Sequence, residues 1–172
     1  MKEITQLAAD LGRQLQILNA HVSTAESCTG GGIAEAITRI PGSSAWFEAG
    51  YVTYSNLQKN LQLGVPVELF TTVGAVSREV VEAMARGAQQ RSRARYAVAV
   101  SGIAGPDGGT DMKPVGTVVF ARAVRDPFAE QQRGFVHHGQ QCPTLDRLGR
   151  QWRALDAARG RGLCDDTSHH LV

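Results

Sequence analysis

The sequence predicts an α/β fold: a single-domain, three-layer sandwich with a mixed, mostly parallel sheet and helices on both faces. Three observations carry the prediction. Short β-prone runs alternate with helical segments of roughly 10 to 15 residues, the length of crossover connections between strands of one sheet. Two of those runs end in glycine-rich turns, the loops in which such sheets gather their ligands. The length of 172 residues suits one packed core.

Ile4, Leu7, Ala8, Leu11, Leu15 and Leu18 recur at helical spacing, so Glu3–Asn19 reads as an amphipathic helix with one buried stripe. His21–Ala25 is β-prone and runs into Glu26-Ser27-Cys28-Thr29-Gly30-Gly31-Gly32, followed by the helical pattern Ile33, Ala36, Ile37, Ile40. Pro41-Gly42-Ser43-Ser44 breaks the chain. Tyr51–Tyr54 is a second β-prone run, and Asn56 is the expected N-cap of a helix through Leu63 that Gly64 closes. Ser77 opens a helix to about Ser92 with Val80, Val81, Met84 and Ala88 on its apolar face. Tyr96–Ser101 is an expected buried strand, Gly102–Gly109 a glycine-dense loop, Val115–Ala121 a further strand, and Gly134–Val136 the last. Thr144–Ala158 has the spacing of a helix, with Leu145, Leu148, Trp152 and Leu155 on one side. The domain is expected to span 1–158 and residues 159–172, poor in apolar side chains, to form a frayed tail.

Composition narrows the function classes. With 42% apolar and 20% charged residues the balance is globular, and a formal charge of +2 is too small to serve as a footprint for nucleic acid. Eight arginines lie between Arg122 and Arg161, and nothing motivates a polyanion partner for them. No segment has the ~20 apolar residues of a membrane span, and Met1–Ala20 lacks the apolar block of an export signal. Cys28, Cys142 and Cys164 form an odd set without CxxC spacing, expected to stay reduced, so the expected compartment is the cytoplasm. His137, His138, Cys142, Cys164, His169 and His170 have no recognised ligand spacing, so no metal site is expected.

The chemistry sits in the two glycine turns. Ser27 stands just ahead of a helix whose first backbone N–H groups, around Thr29 to Gly31, favour an anion or a developing oxyanion. A serine there can attack a carbonyl, or Ser27 or Thr29 can simply cap the helix. Cys28 can be read as a thiolate nucleophile or as a small buried residue. Gly102–Gly109 contains neither GxGxxG nor a Lys-Ser/Thr ending, which leaves it a ligand cradle without a dinucleotide or P-loop signature. Tyr54 and Lys59 can bring a phenol and an ammonium to the same sheet edge, or serve as a rim aromatic and a solvated charge. Because a serine needs a base, a lysine or tyrosine of lowered pKa is the candidate where no histidine is at hand.

Longer strings add a resemblance. Thr24-Ala25-Glu26-Ser27-Cys28-Thr29-Gly30-Gly31, Pro41–Phe47, Gly50–Asn56, Gly74–Ser77, Ala97–Gly109 and Lys113–Val118 resemble, in order and spacing from about Leu7 to Ala123, the CinA C-terminal domain family, the nicotinamide-mononucleotide deamidases. The resemblance implies an amidohydrolase that converts nicotinamide mononucleotide and water to nicotinic acid mononucleotide and ammonia in pyridine nucleotide salvage. It implies a small nucleotide substrate, no metal or organic cofactor, and a homo-oligomer. It assigns catalysis to Ser27, Tyr54 and Lys59, and substrate binding to Glu26, Thr29, Gly30, Gly31, Ser101, Gly102 and Gly105. The division of acid and base between Tyr54 and Lys59 stays open at this level.

From about residue 134 the chain departs from the family pattern. Where the family continues with a Gly-Asp-Arg turn and an Arg-containing helix directed at the ligand phosphate, this chain reads His137-His138-Gly139-Gln140-Gln141-Cys142-Pro143. Two functions from different classes follow: a deamidase of weakened or absent activity, favoured by the N-terminal motifs, and a catalytically silent relative that binds a nucleotide or a protein partner, favoured by the altered ending.

Overall fold

A computed structural model describes residues 2–125 and the backbone of residues 133–139. Its elements are α1 (Lys2–Ile17), β1 (Val22–Glu26), α2 (Gly32–Thr38), a 3-10 turn (Ser43–Ala45), β2 (Phe47–Val52), α3 (Asn56–Leu63), α4 (Val67–Thr72), α5 (Arg78–Ser92), β3 (Tyr96–Gly102), β4 (Val118–Val124) and β5 (Arg133–Gly139). The sheet order is β2-β1-β3-β4-β5. β1 pairs in parallel with both β2 and β3, while β4 is antiparallel to its two neighbours, so the sheet is mixed and only β4 runs against the rest.

Helices cover both faces, as expected. On one face Leu15 of α1 and Ile33 and Ile37 of α2 pack with Val22, Trp46 and Val100. On the other, Val80, Val81, Met84 and Ala88 of α5 pack with Leu63, Val65 and a sheet surface of Ala25, Ala97, Ala99, Ala121 and Ala123. Those alanines are short, which lets α5 lie close to the strands, and alternation along each strand sends their neighbours to the opposite layer. The expected N-cap Ser77 holds α5, its Oγ accepting from Val80 N–H at 3.4 Å. Among the described residues no helix is long and apolar enough to cross a membrane.

Several boundaries differ from expectation. β2 begins at Phe47, ahead of the expected Tyr51–Tyr54 run, because pairing with β1 from Val22↔Phe47 to Glu26↔Val52 draws in Glu48, Ala49 and Gly50, residues of weak β propensity. The N-cap of α3 is Ser55, not Asn56: its Oγ accepts from Gln58 N–H at 3.2 Å, and Gly64 closes the helix at φ 69° as expected. α4 follows Pro66 and has no counterpart in the sequence reading. β4 starts at Val118, not Val115, because the chain turns at Gly116 (φ 90°) before its ladder with β3 begins at Gly102↔Val118. The last expected strand falls within β5. The Thr144–Ala158 helix and the 159–172 tail lie outside the described residues.

Close packing of α3 on α5 depends on one glycine. A Cβ on Gly87 would stand 1.9 Å from the carbonyl oxygen of Leu63, a backbone atom with little room to yield. Alanine in a helix interior normally gains about 0.5–1 kcal/mol over glycine, but here the sign reverses. Gly87→Ala is expected to destabilise by about 3 kcal/mol through overpacking, read as a lower urea midpoint at unchanged m value.

Candidate active site

β1 and β3 are parallel neighbours, so the turns that follow them leave the sheet at the same edge. Ser27 N–H donates to the Val100 carbonyl at 3.1 Å, carrying the β1–β3 pairing one residue beyond the strand. The two turns also touch: a Cβ on Gly102 would lie 2.9 Å from Cys28 Sγ and 2.7 Å from the Thr117 carbonyl oxygen. Glycine at 102 is therefore a requirement of close approach. Cys28 is half-buried at that junction.

Alternation settles which layer Ser27 faces. Ala25 packs against α5, and Ser27, two residues on, points to the same side, where α3 passes. Lys59 of α3 is 1% exposed, and its Nζ lies 3.0 Å from Ser27 Oγ. The same nitrogen donates to the carbonyls of Thr53 and Tyr54, each at 2.9 Å. Burial pushes the Lys59 ammonium below its ordinary pKa, and the adjacent Cys28 thiol group opposes part of that drop. Ser27 keeps 7% of its surface exposed and Lys59 1%, so the amine is the more deeply buried of the two.

This geometry removes the capping reading of the first turn. Neither Ser27 nor Thr29 caps α2; the N-cap position is Gly31, at φ 98°, with no side-chain cap of its own. Capping comes from Glu26, 1% exposed, whose Oε2 accepts from Ile33 N–H at 2.9 Å and Thr29 Oγ1 at 2.7 Å, and whose Oε1 accepts from Ala34 N–H at 2.8 Å and Thr24 Oγ1 at 3.3 Å. The carboxylate of Glu26, a residue expected to bind substrate, is filled here by the start of α2 and the Thr24 and Thr29 hydroxyls. These bonds occupy the N–H groups of Ile33 and Ala34, inside the helix, and not those around Thr29 to Gly31. Gly30 N–H, among the groups expected to favour an anion, is engaged, donating to the Ser27 carbonyl at 3.0 Å.

The remaining expected residues divide. Tyr54 supplies its carbonyl to Lys59, but its side chain is 69% exposed at the rim and does not meet Ser27. Ser101 is 1% exposed and donates to the Ala75 carbonyl at 2.9 Å, tying the segment between α4 and α5 to the end of β3. Gly105, at φ 78°, backs onto Val115, whose Cγ1 would be 2.5 Å from an added Cβ. Two contributors were absent from the sequence reading. Thr53 holds Nζ through its carbonyl, and Lys113 donates to the Val73 carbonyl at 3.1 Å, a second tie on the α4–α5 segment. Adjacency to Tyr54 was the only signal for the first; pairing across 40 residues left none for the second. Among the described residues no group of three or more His, Cys, Asp or Glu could hold a metal ion.

The chain is similar to known proteins along most of its length. The model of the CinA C-terminal domain matches residues 4–144, past the last of the family-like strings and short of the final segment. Nicotinamide-nucleotide amidohydrolase PncC of Pseudomonas putida is 74% identical over 121 residues, covering 70% of this chain and 76% of that protein. The protein of the same name from Escherichia coli K12 is 57% identical over 121 residues, covering 70% and 73%. Among solved structures, competence/damage inducible protein CihA from Agrobacterium tumefaciens superposes with a TM-score of 0.81 at 42% identity, covering 91% of this chain and 96% of that one.

Proposed function

This chain belongs to the CinA C-terminal domain family, and on that premise we propose that it hydrolyses the carboxamide of nicotinamide mononucleotide, releasing nicotinic acid mononucleotide and ammonia, with Ser27 as nucleophile and Lys59 as its base. The observation that carries the proposal is the 3.0 Å approach of Lys59 Nζ to Ser27 Oγ with two carbonyls on the same nitrogen. A neutral amine has two N–H donors and one lone pair. The Thr53 and Tyr54 carbonyls use the donors, which leaves the lone pair for the Ser27 O–H. Burial favours that neutral form.

Ser27 Oγ bonds to the carboxamide carbon while its proton moves to Nζ. The C–N bond then breaks, and the leaving nitrogen takes the proton and departs as ammonia. Water repeats the sequence on the ester, its proton passing through Nζ to Ser27. The N–H groups of Thr29 and Gly31, in the turn that follows Ser27, serve as donors for the oxyanion. Tyr54 acts through its carbonyl and at the rim, so the base is Lys59. An intact hydroxyl–amine pair favours turnover over the silent binding module. The reaction needs only water as co-reactant, and the enzyme is a cytoplasmic homo-oligomer in this reading.

Ammonia release from nicotinamide mononucleotide, followed against pH, tests it. The active form has Lys59 unprotonated, so kcat/KM is expected to rise with pH through the lowered lysine pKa and level off above it. The rise should be centred below the ~10.4 of an exposed lysine. No ammonia at any pH would sink the proposal.

A further inference from the structure

One residue past the last pairs that β1 makes with β2 and with β3, three hydroxyl side chains stand in a row. Register runs Glu26↔Val52 on one side and Glu26↔Val100 on the other, so Thr53, Ser27 and Ser101 occupy equivalent places on three adjacent strand ends. Thr53 N–H donates to the Glu26 carbonyl at 2.8 Å, which holds its side of the register. Tyr51, Ala25 and Ala99, two residues before each, all pack on the α5 layer, and alternation directs the three hydroxyls to that layer as well.

Two members of the row have partners. Ser27 Oγ meets Lys59 and Ser101 Oγ meets the Ala75 carbonyl. Thr53 Oγ1 has none, although Thr53 is 0% exposed. A buried hydroxyl without a partner costs about 1–3 kcal/mol, and valine would fill the same space without that cost. Threonine at this position therefore needs a reason other than packing. Its surroundings supply one, because the carbonyl of the same residue already carries Lys59 Nζ at 2.9 Å.

We propose that Thr53 is a positioning residue for Lys59, its hydroxyl taking over the contact to Nζ while Ser27 is acylated. This rests on the amidohydrolase reading above. Once Ser27 Oγ is bonded to the acyl carbon it has lost its proton and is a poorer acceptor, so the amine loses its third partner just when water must be activated. The Thr53 and Tyr54 carbonyls can only accept. A hydroxyl can accept from the third N–H of the ammonium that forms when the proton of water reaches Nζ, and before that it leaves the lone pair free to take the proton. Bond making is unchanged: water oxygen bonds to the acyl carbon, its proton goes to Nζ, the C–Oγ bond breaks, and Oγ recovers a proton from Nζ.

Thr53→Val and Thr53→Ser, assayed beside the parent chain, test the assignment. Thr53→Val is expected to unfold at the same temperature or higher and to lose about tenfold in kcat, the effect of one ordinary hydrogen bond. KM should fall in step, leaving kcat/KM near the parent value, because acylation precedes the affected step. Acyl-enzyme should then accumulate on Ser27, visible by intact mass after acid quench. Thr53→Ser should restore kcat. Unchanged kcat in Thr53→Val overturns the proposal, as does an equal loss of kcat and kcat/KM that serine fails to rescue. A parent chain that releases no ammonia overturns the amidohydrolase reading and this proposal with it; active parent and unaffected Thr53→Val overturn only the role of Thr53.

Discussion

Replacing Ser27 with alanine is expected to lower kcat for ammonia release by about 10⁴-fold or more, the scale seen when a catalytic nucleophile is removed. The change deletes one oxygen. Main-chain anchors of the turn, Ser27 N–H to Val100 O and Gly30 N–H to Ser27 O, do not involve it. Lys59 retains two carbonyl partners. Unfolding should accordingly shift by no more than about 0.5–1 kcal/mol, so lost activity cannot be attributed to lost structure. Direct attack of water, with Ser27 only orienting the amide, predicts a much smaller loss. A variant within tenfold of the parent rate would remove Ser27 from the role of nucleophile.

Lys59→Met should lower kcat by about 10³-fold, within the range for a general base, while the methionine occupies the space of the lysine's apolar stem. The Ser27→Ala, Lys59→Met double variant is expected to be no slower than the slower single one, because the two groups act as a unit. Losses that multiplied would separate them.

Stability should respond to pH in a defined direction. Lys59 has a lower pKa folded than unfolded. Between those two values the unfolded chain binds a proton that the folded chain does not, so the stability of the parent falls as pH falls through that window and is level below the folded pKa. The methionine variant lacks this term. Its melting temperature relative to the parent should therefore rise as pH is lowered from alkaline values to the folded pKa, then stay constant. A difference independent of pH across that range would mean that Lys59 is not buried as described.

Which parts of this were legible beforehand follows from the range of the interaction behind each. Periodic elements were readable because their signal is local: α1 and α5 announce themselves through apolar spacing, and Ser77 and Gly64 through the backbone geometry their residue types favour. β2 was displaced because Glu48, Ala49 and Gly50 become strand only by pairing with β1. Glu26 and Ser27 are neighbours in the chain yet point to opposite layers, one to cap α2 and the other to meet Lys59, and residue type alone does not reveal that division.

By itself the sequence determined the α/β class, the two glycine turns and the presence of a serine, a lysine and a tyrosine in family-like strings, since each depends on composition and short spacing. Only the tertiary structure decided that Lys59, 32 residues from Ser27, reaches it, that Tyr54 contributes a carbonyl, and that Thr53 stands buried in line with the serine. The physical reason is that desolvation and hydrogen-bond geometry belong to atoms brought together by the parallel pairing of β1 with β2 and β3 and by the packing of α3, neither of which any short stretch of chain encodes.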